Sequence, residues 1–164
     1  MVFRFLPGII AATVGTFASA GELEWVTYQS PSGFYSVDHP RDWRVERDGN
    51  VVNISPDNDS GAVTISAYIG KAVPDLAEQL ISGSFATEQP TSPLLKVSGS
   101  GWKGVRRTFI DKSNTPHREW VAVVATNVHG TVMITSNEVS TRIAERGPVY
   151  ARILQSLRLS TPRR

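Results

Sequence analysis

Three histidines, His39, His117 and His129, are all this chain of 164 residues offers for imidazole chemistry. His117 and Glu119 stand two apart on an expected strand, so they share a face at a spacing that could hold a metal. A protein zinc site takes three or four ligands, and no second histidine pair accompanies them. His39 adjoins Pro40 at a chain corner, and His129 falls at an expected hairpin tip. Asp57-Asn58-Asp59-Ser60-Gly61 has the flavour of a calcium loop, but an EF-hand places Gly sixth and a Glu twelfth. Here Gly61 is fifth and Tyr68 twelfth, so the segment reads as an acidic turn. Ser98-Gly99-Ser100-Gly101 has the composition of a nucleophile elbow without G-x-S-x-G between a strand and a helix. A Ser–His–Asp triad assembled from separate strands is defined by geometry and stays open. No phosphate loop or dinucleotide fingerprint occurs. With zero cysteines, thiol catalysis, cysteine-held zinc and iron–sulfur clusters are excluded. No catalytic residue, metal ligand or cofactor is assigned.

Recognition chemistry is better represented. In SGSGWKGVRRTFIDKSNTPHREW, Trp102 stands between Gly101 and Gly104, where an aromatic ring is expected to be exposed. If strands 103–111 and 117–127 pair through the DKSNTP loop, Arg106 and Glu119 share one face. Arg107 then lies with Phe109 and Trp120 on the other. Trp and Arg are enriched at binding hot spots, which makes Trp102, Arg106 and Arg107 the candidate partner-binding residues. The competing reading is a surface ion pair, worth about 0–1 kcal/mol, plus an arginine lying over an aromatic ring.

The elements that must position these residues follow from periodicity. The first twenty residues, MVFRFLPGIIAATVGTFASA, carry one positive charge, an apolar run and Ala18-Ser19-Ala20. That is the layout of a secretory signal peptide cut after Ala20, which makes the chain periplasmic or secreted. The run is shorter than the ~20 apolar residues of a spanning helix and is broken by Pro7 and Gly8, so no stable membrane insertion is expected after cleavage. The chain has 17 basic and 15 acidic residues, and losing Arg4 narrows the excess to one. Basic residues are scattered rather than gathered on one face, so nucleic acid is not expected as a partner. Arginine outnumbers lysine 13 to 4, a bias associated with GC-rich bacterial genomes.

Residues 21–32 form a lead-in with a strand at 25–29, 33–159 a single domain, and 160–164 a flexible tail. Strands are expected at 34–38, 45–47, 51–55, 62–70, 94–98, 103–111, 117–127 and 131–136. Asp48-Gly49-Asn50 provides a hairpin turn. Along 62–70, Val63, Ile65, Ala67 and Ile69 alternate with Thr64, Ser66 and Tyr68, giving a strand with one face on a core. Residues 73–86 change to a helical stripe with Pro74 at the first position, and 88–93 reads as a loop. The run 117–127 is apolar on both faces, which requires a layer on each side of the sheet. Gly147-Pro148 is expected to end one helical turn and begin another, after which Val149, Ile153 and Leu157 form a stripe. The fold class is α+β: a mostly antiparallel sheet of about six strands sandwiched by helices.

A strand ending in Pro40-x-x-Trp43, a hairpin, a strand–helix unit, a Trp-bearing central hairpin (120–136) and the closing Ile-Leu-x-Ser-Leu-Arg-Leu of 153–159 together define a resemblance. Over residues 33–159 the chain resembles the superfamily of PsbP, the extrinsic subunit of photosystem II. That superfamily also includes periplasmic DcrB-like proteins, a nuclear Ran-binding relative and chaperones of type VI secretion effectors. The resemblance implies an antiparallel sheet sandwiched by helices and a structural role for the Pro40–Trp43 corner. It also implies a non-enzymatic protein that binds or positions another protein, here a partner in the cell envelope. The superfamily has no shared catalytic residues to carry over, and nothing matches a thylakoid transit peptide. A small hydrolase with a spatially assembled Ser/His site and a carrier of a small apolar ligand between sheet and helix are the alternatives.

Overall fold

The computed structural model describes residues 23–57, 60–70, 76–113 and 115–163. The expected signal peptide, the start of the helix at Val73 to Asp75 and Asn58-Asp59 of the acidic turn lie outside them.

Two antiparallel sheets share one core. The larger runs in the order β3-β4-β5-β10-β9-β8, and the outer edge of β8 is covered end to end by two short strands, β6 and β7. These are β3 (Arg44–Asp48), β4 (Val51–Ser55), β5 (Gly61–Ile69), β6 (Gln89–Pro90), β7 (Leu95–Gly99), β8 (Trp102–Asp111), β9 (Arg118–Asn127) and β10 (Gly130–Val139). The smaller sheet has the order β1-β2-β11, from β1 (Trp25–Gln29), β2 (Tyr35–Pro40) and β11 (Arg158–Leu159). Among the described residues the large sheet holds eight strands where about six are expected, with three more in a separate sheet. The additions β6 and β11 are two residues each, too short for an alternation pattern to reveal.

β9 is buried on both sides, as its composition requires. Val123 and Ala125 join one core cluster, Ala122 and Val124 another. The first face is covered by α2 (Ile143–Gln155), which follows a 3-10 turn at Ser140–Arg142, and by the small sheet. The second is covered by α1 (Leu76–Ser84), whose Ile81 is fully buried.

Trp43 explains the corner. Its backbone N–H donates to Pro40 O at 3.1 Å, turning the chain from the small sheet to the large one. Its ring, 5% exposed, meets Tyr150 of α2 edge-on at 5.4 Å between centroids. Arg152 of α2 lies over the Trp25 ring at 3.9 Å, tying the helix to the small sheet as well.

Two expectations at the C-terminus are corrected. Pro148 lies inside α2 rather than at a break. The missing N–H and the ring clash oppose a helix here, but Tyr150, Ile153 and Leu154 are all buried against the sheet. That packing carries the helix through, since tertiary burial contributes most of a helix's stability. The tail is also tied down: Ser160 N–H donates to Phe34 O at 2.8 Å and Arg163 N–H to Ser32 O at 2.7 Å.

Candidate binding cleft

Helix α2 does not close over the whole of its face. Between it and strands β7 to β10 lies a cleft of about 580 Å³, within the range of about 300–1,000 Å³ typical of ligand sites. Its roof and floor explain why it stays open. On α2, Ile143, Gly147, Ala151 and Gln155 line the cleft at four-residue spacing, one stripe of the helix, with Tyr150 and Leu154 along its inner side. The two middle members of the stripe are too small to reach the sheet. On the floor, Val121 and Val123 are flanked by Arg106, Thr108 and Glu119, polar groups that a helix could not cover without desolvating them.

The hairpin register places these side chains as the sequence implies. β8 and β9 pair with Arg106 opposite Val123, Phe109 opposite Trp120 and Ile110 opposite Glu119. Arg106 and Glu119 thus share the cleft face, and Arg107 shares the other with Phe109 and Trp120. Arg107 Nε donates to Ser92 O at 3.2 Å, and its guanidinium lies 5.8 Å from the Phe109 ring centroid. The three candidate binding residues are therefore split: Trp102 and Arg106 line the cleft, and Arg107 belongs to the opposite face.

Trp102 is half-buried rather than exposed. Gly101, at φ +79, makes the tight turn between β7 and β8. A Cβ on Gly99 would stand 2.4 Å from the Trp102 ring. A different glycine from the flanking Gly101 and Gly104, Gly99, lets the ring lie down on the hairpin, and its indole N–H donates to Leu157 O at 3.0 Å.

At the other end of the cleft is Glu138, fully buried. Its Oε2 accepts from Tyr150 Oη at 3.0 Å and Ser60 Oγ at 3.1 Å, and its Oε1 from the Val139 N–H at 2.9 Å. Arg118 supports the cluster by donating to Ser60 O at 3.3 Å and to Asn137 Oδ1. Burial, and then the Glu138 carboxylate, push the Tyr150 hydroxyl well above its ordinary range. Glu138 escapes notice when β10 is ended at Ser136. Extending the alternation Ile134, Ser136 by one step puts it on the inward face.

The histidines do not converge. His39 is buried, with Nδ1 2.8 Å from Pro40 O, and His129 Nε2 lies 3.2 Å from the Thr161 hydroxyl. The backbone carbonyl of His117 accepts from Ser140 N–H at 2.8 Å. Among the described residues, no group of three or more His, Asp or Glu is placed to hold a metal ion. No helix there is long and apolar enough to cross a membrane.

Comparison with solved structures shows this antiparallel sheet between helices to be a PsbP-like fold. The sequence matches no family model and no curated protein, so the likeness rests on structure. Cyanobacterial PsbP (CyanoP) from Synechocystis sp. PCC 6803 has TM-score 0.58 at 12% identity, covering 90% of this chain and 99% of that one. LpqN, involved in cell envelope biogenesis of Mycobacterium tuberculosis, has TM-score 0.56 at 12% identity, covering 84% and 91%. A protein from Bacteroides thetaiotaomicron VPI-5482 has TM-score 0.62 at 15% identity over 82% of this chain and 48% of that chain, so this chain spans about half of it.

Proposed function

We propose that this is an exported, non-enzymatic binding protein that docks on a protein partner of the cell envelope through the cleft under α2. The observation that carries the reading is the cleft itself: about 580 Å³, half-open, with an aromatic and charged side chains on an apolar floor. Trp102 and Arg106 are the partner-binding residues of that surface. Export rests on the signal-peptide layout of residues 1–20, and the shared fold of LpqN, a protein of envelope biogenesis, supports the same compartment. The histidine placements described above favour no acid–base constellation, so the reading assigns no turnover.

A photo-crosslinking amino acid at Gln155, exposed at the cleft, tests it against the same group at Asn53, exposed on β4 away from the cleft. Crosslinking in cells followed by mass spectrometry is expected to give one dominant envelope protein from position 155 and not from 53. Background alone, or the same proteins from both positions, would remove the reading.

A further inference from the structure

The charges in the cleft are arranged for an occupant of particular form. Arg106 and Glu119 both line it, both are half-buried, and among the described residues neither has a hydrogen-bond or ion-pair partner. Since Arg106 is opposite Val123, its backbone position and that of Glu119 are four residues apart along the sheet, roughly 13 Å at about 3.4 Å per residue. Between them on the same face lie Val121 and Thr108, with Val123 beside Arg106, and all three line the cleft. At Glu119's end, Glu138 sits directly opposite it on β10, its carboxylate already supplied with three donors, so Glu119 is the carboxylate left for an occupant.

An unpaired cation and an unpaired anion at the two ends of an apolar floor would be left stranded by a purely apolar ligand, at the cost of desolvating both. An extended polypeptide meets the pattern directly. Residues i, i+2 and i+4 of a strand point to one side, and i to i+4 covers the same ~13 Å.

We infer that the cleft takes an extended segment of the partner protein with an acidic residue at one position, an apolar residue two further on and a basic residue two beyond that. The acidic side chain pairs with Arg106, the apolar one lies on Val121 and Val123, and the basic one pairs with Glu119. This rests on the docking reading above and adds the chemistry of what docks.

Three capped pentapeptides, Asp-Ala-Leu-Ala-Lys, Asp-Ala-Leu-Ala-Asp and Lys-Ala-Leu-Ala-Lys, test it by fluorescence anisotropy on the purified protein. The mixed-charge peptide is expected to bind about tenfold tighter than either other, the effect of one like-charge contact in a partly dried cleft. Arg106→Glu is expected to move the preference to the doubly basic peptide, and Glu119→Arg to the doubly acidic one. These reversals read out preference, so a modest loss of stability leaves the test intact. Equal binding of all three peptides, no binding, or an unchanged preference in both reversals would overturn the inference. So would a small molecule retained in the cleft, seen by native mass spectrometry, that the peptides fail to displace. If crosslinking from position 155 still selects one envelope protein while the reversals do nothing, docking stands and the charge pattern falls.

Discussion

The two faces of the large sheet are covered by helices of different design. On the α1 face, aromatic rings close the contact: Phe85 stacks on Phe109 at 4.4 Å between centroids, and Trp120 meets Phe85 edge-on at 5.7 Å. Arg107 is spent locally, on a backbone carbonyl and a ring. On the α2 face, large side chains fill only the half beside β4, β5 and β10. Over β8 and β9, Gly147 and Ala151 line the same cleft as Arg106 and Glu119. Helix α1 closes its side at Ile81 and Phe85 and leaves a shallower groove beside Ala77, Glu78, Lys96 and Lys103, whereas α2 leaves the cleft over the strands of Arg106 and Glu119. On the α2 side the small residues of the helix stripe and the polarity of the strand beneath keep the cleft open.

If both faces hold complete cores apart from the cleft, truncating an anchor on either should cost about the same. Trp43→Ala on the α2 face and Phe109→Ala on the α1 face are each expected to lose about 3–5 kcal/mol, read from urea unfolding. A loss several-fold smaller on one side would break the comparison, showing that one layer is loosely attached.

The Glu138 cluster marks the boundary between the packed and open halves of the α2 face. Tyr150→Phe removes one donor to a buried carboxylate and is expected to cost about 1.5–3 kcal/mol. Tyr150 also gives a pH signature. Its raised pKa means its contribution is present below the ordinary tyrosine value of 10.0 and is lost as pH rises above it. Tyr35, raised mainly by burial, acts in the same direction. Stability should fall in alkali, and Tyr150→Phe should flatten part of that fall in thermal melts between pH 9 and 11, about the ordinary tyrosine range. Equal alkaline slopes in both proteins would refute the assignment to Tyr150.

Much of this was legible in the sequence, for reasons that particular residues show. The apolar run of β9 announced two covering layers, and the turn between β8 and β9 fixed a register that put Arg106 with Glu119 and Arg107 with Phe109. Pro40 and Trp43 marked the corner because each has few other uses at a strand end. What stayed hidden depends on distances between elements. Gly147-Pro148 reads locally as a stop, and only the burial of Tyr150, Ile153 and Leu154 overrides it. The cleft exists because Gly147 and Ala151 face polar strand positions, a juxtaposition no single segment contains. Trp102 misled because its flanking Gly101 and Gly104 do not decide where the ring goes; Gly99, opposite it in the hairpin, lets it lie flat on the backbone.

The stripe on α2 separates the helix's stability from its openness. A Cβ at Gly147 would meet only Ile143, at 3.8 Å. Gly147→Ala is therefore expected to stabilise the protein by about 0.5–1 kcal/mol through helix propensity. Ala151→Leu places a larger apolar group over the floor and should leave the melting temperature within a few degrees while abolishing crosslinking from position 155. A destabilised Gly147→Ala would mean that the helix needs close approach there, and that the cleft is a by-product of packing rather than a surface kept open.

The smallest effect is expected at the rim, where the small sheet is pinned by a bidentate pair. Arg158 donates from both terminal nitrogens to Asp38, at 3.3 and 3.2 Å, and Thr27 adds a hydroxyl at 2.7 Å. The Arg158 hydrogen bonds hold the Asp38 carboxyl below its ordinary value of 3.8. A depressed carboxylate contributes stability above that ordinary value and loses it as pH falls through the lower folded one. Asp38→Asn should thus lower the melting temperature slightly at pH 7 and not at all at the acid end, with the two curves meeting below pH 3.8. Half the Arg158 side chain is in solvent, so salt should shrink the difference at pH 7. A difference that survived both acid and salt would mean that Asp38 acts through uncharged side-chain contacts such as the Thr27 hydroxyl at 2.7 Å, and that the ion pair does not hold the small sheet beside the cleft.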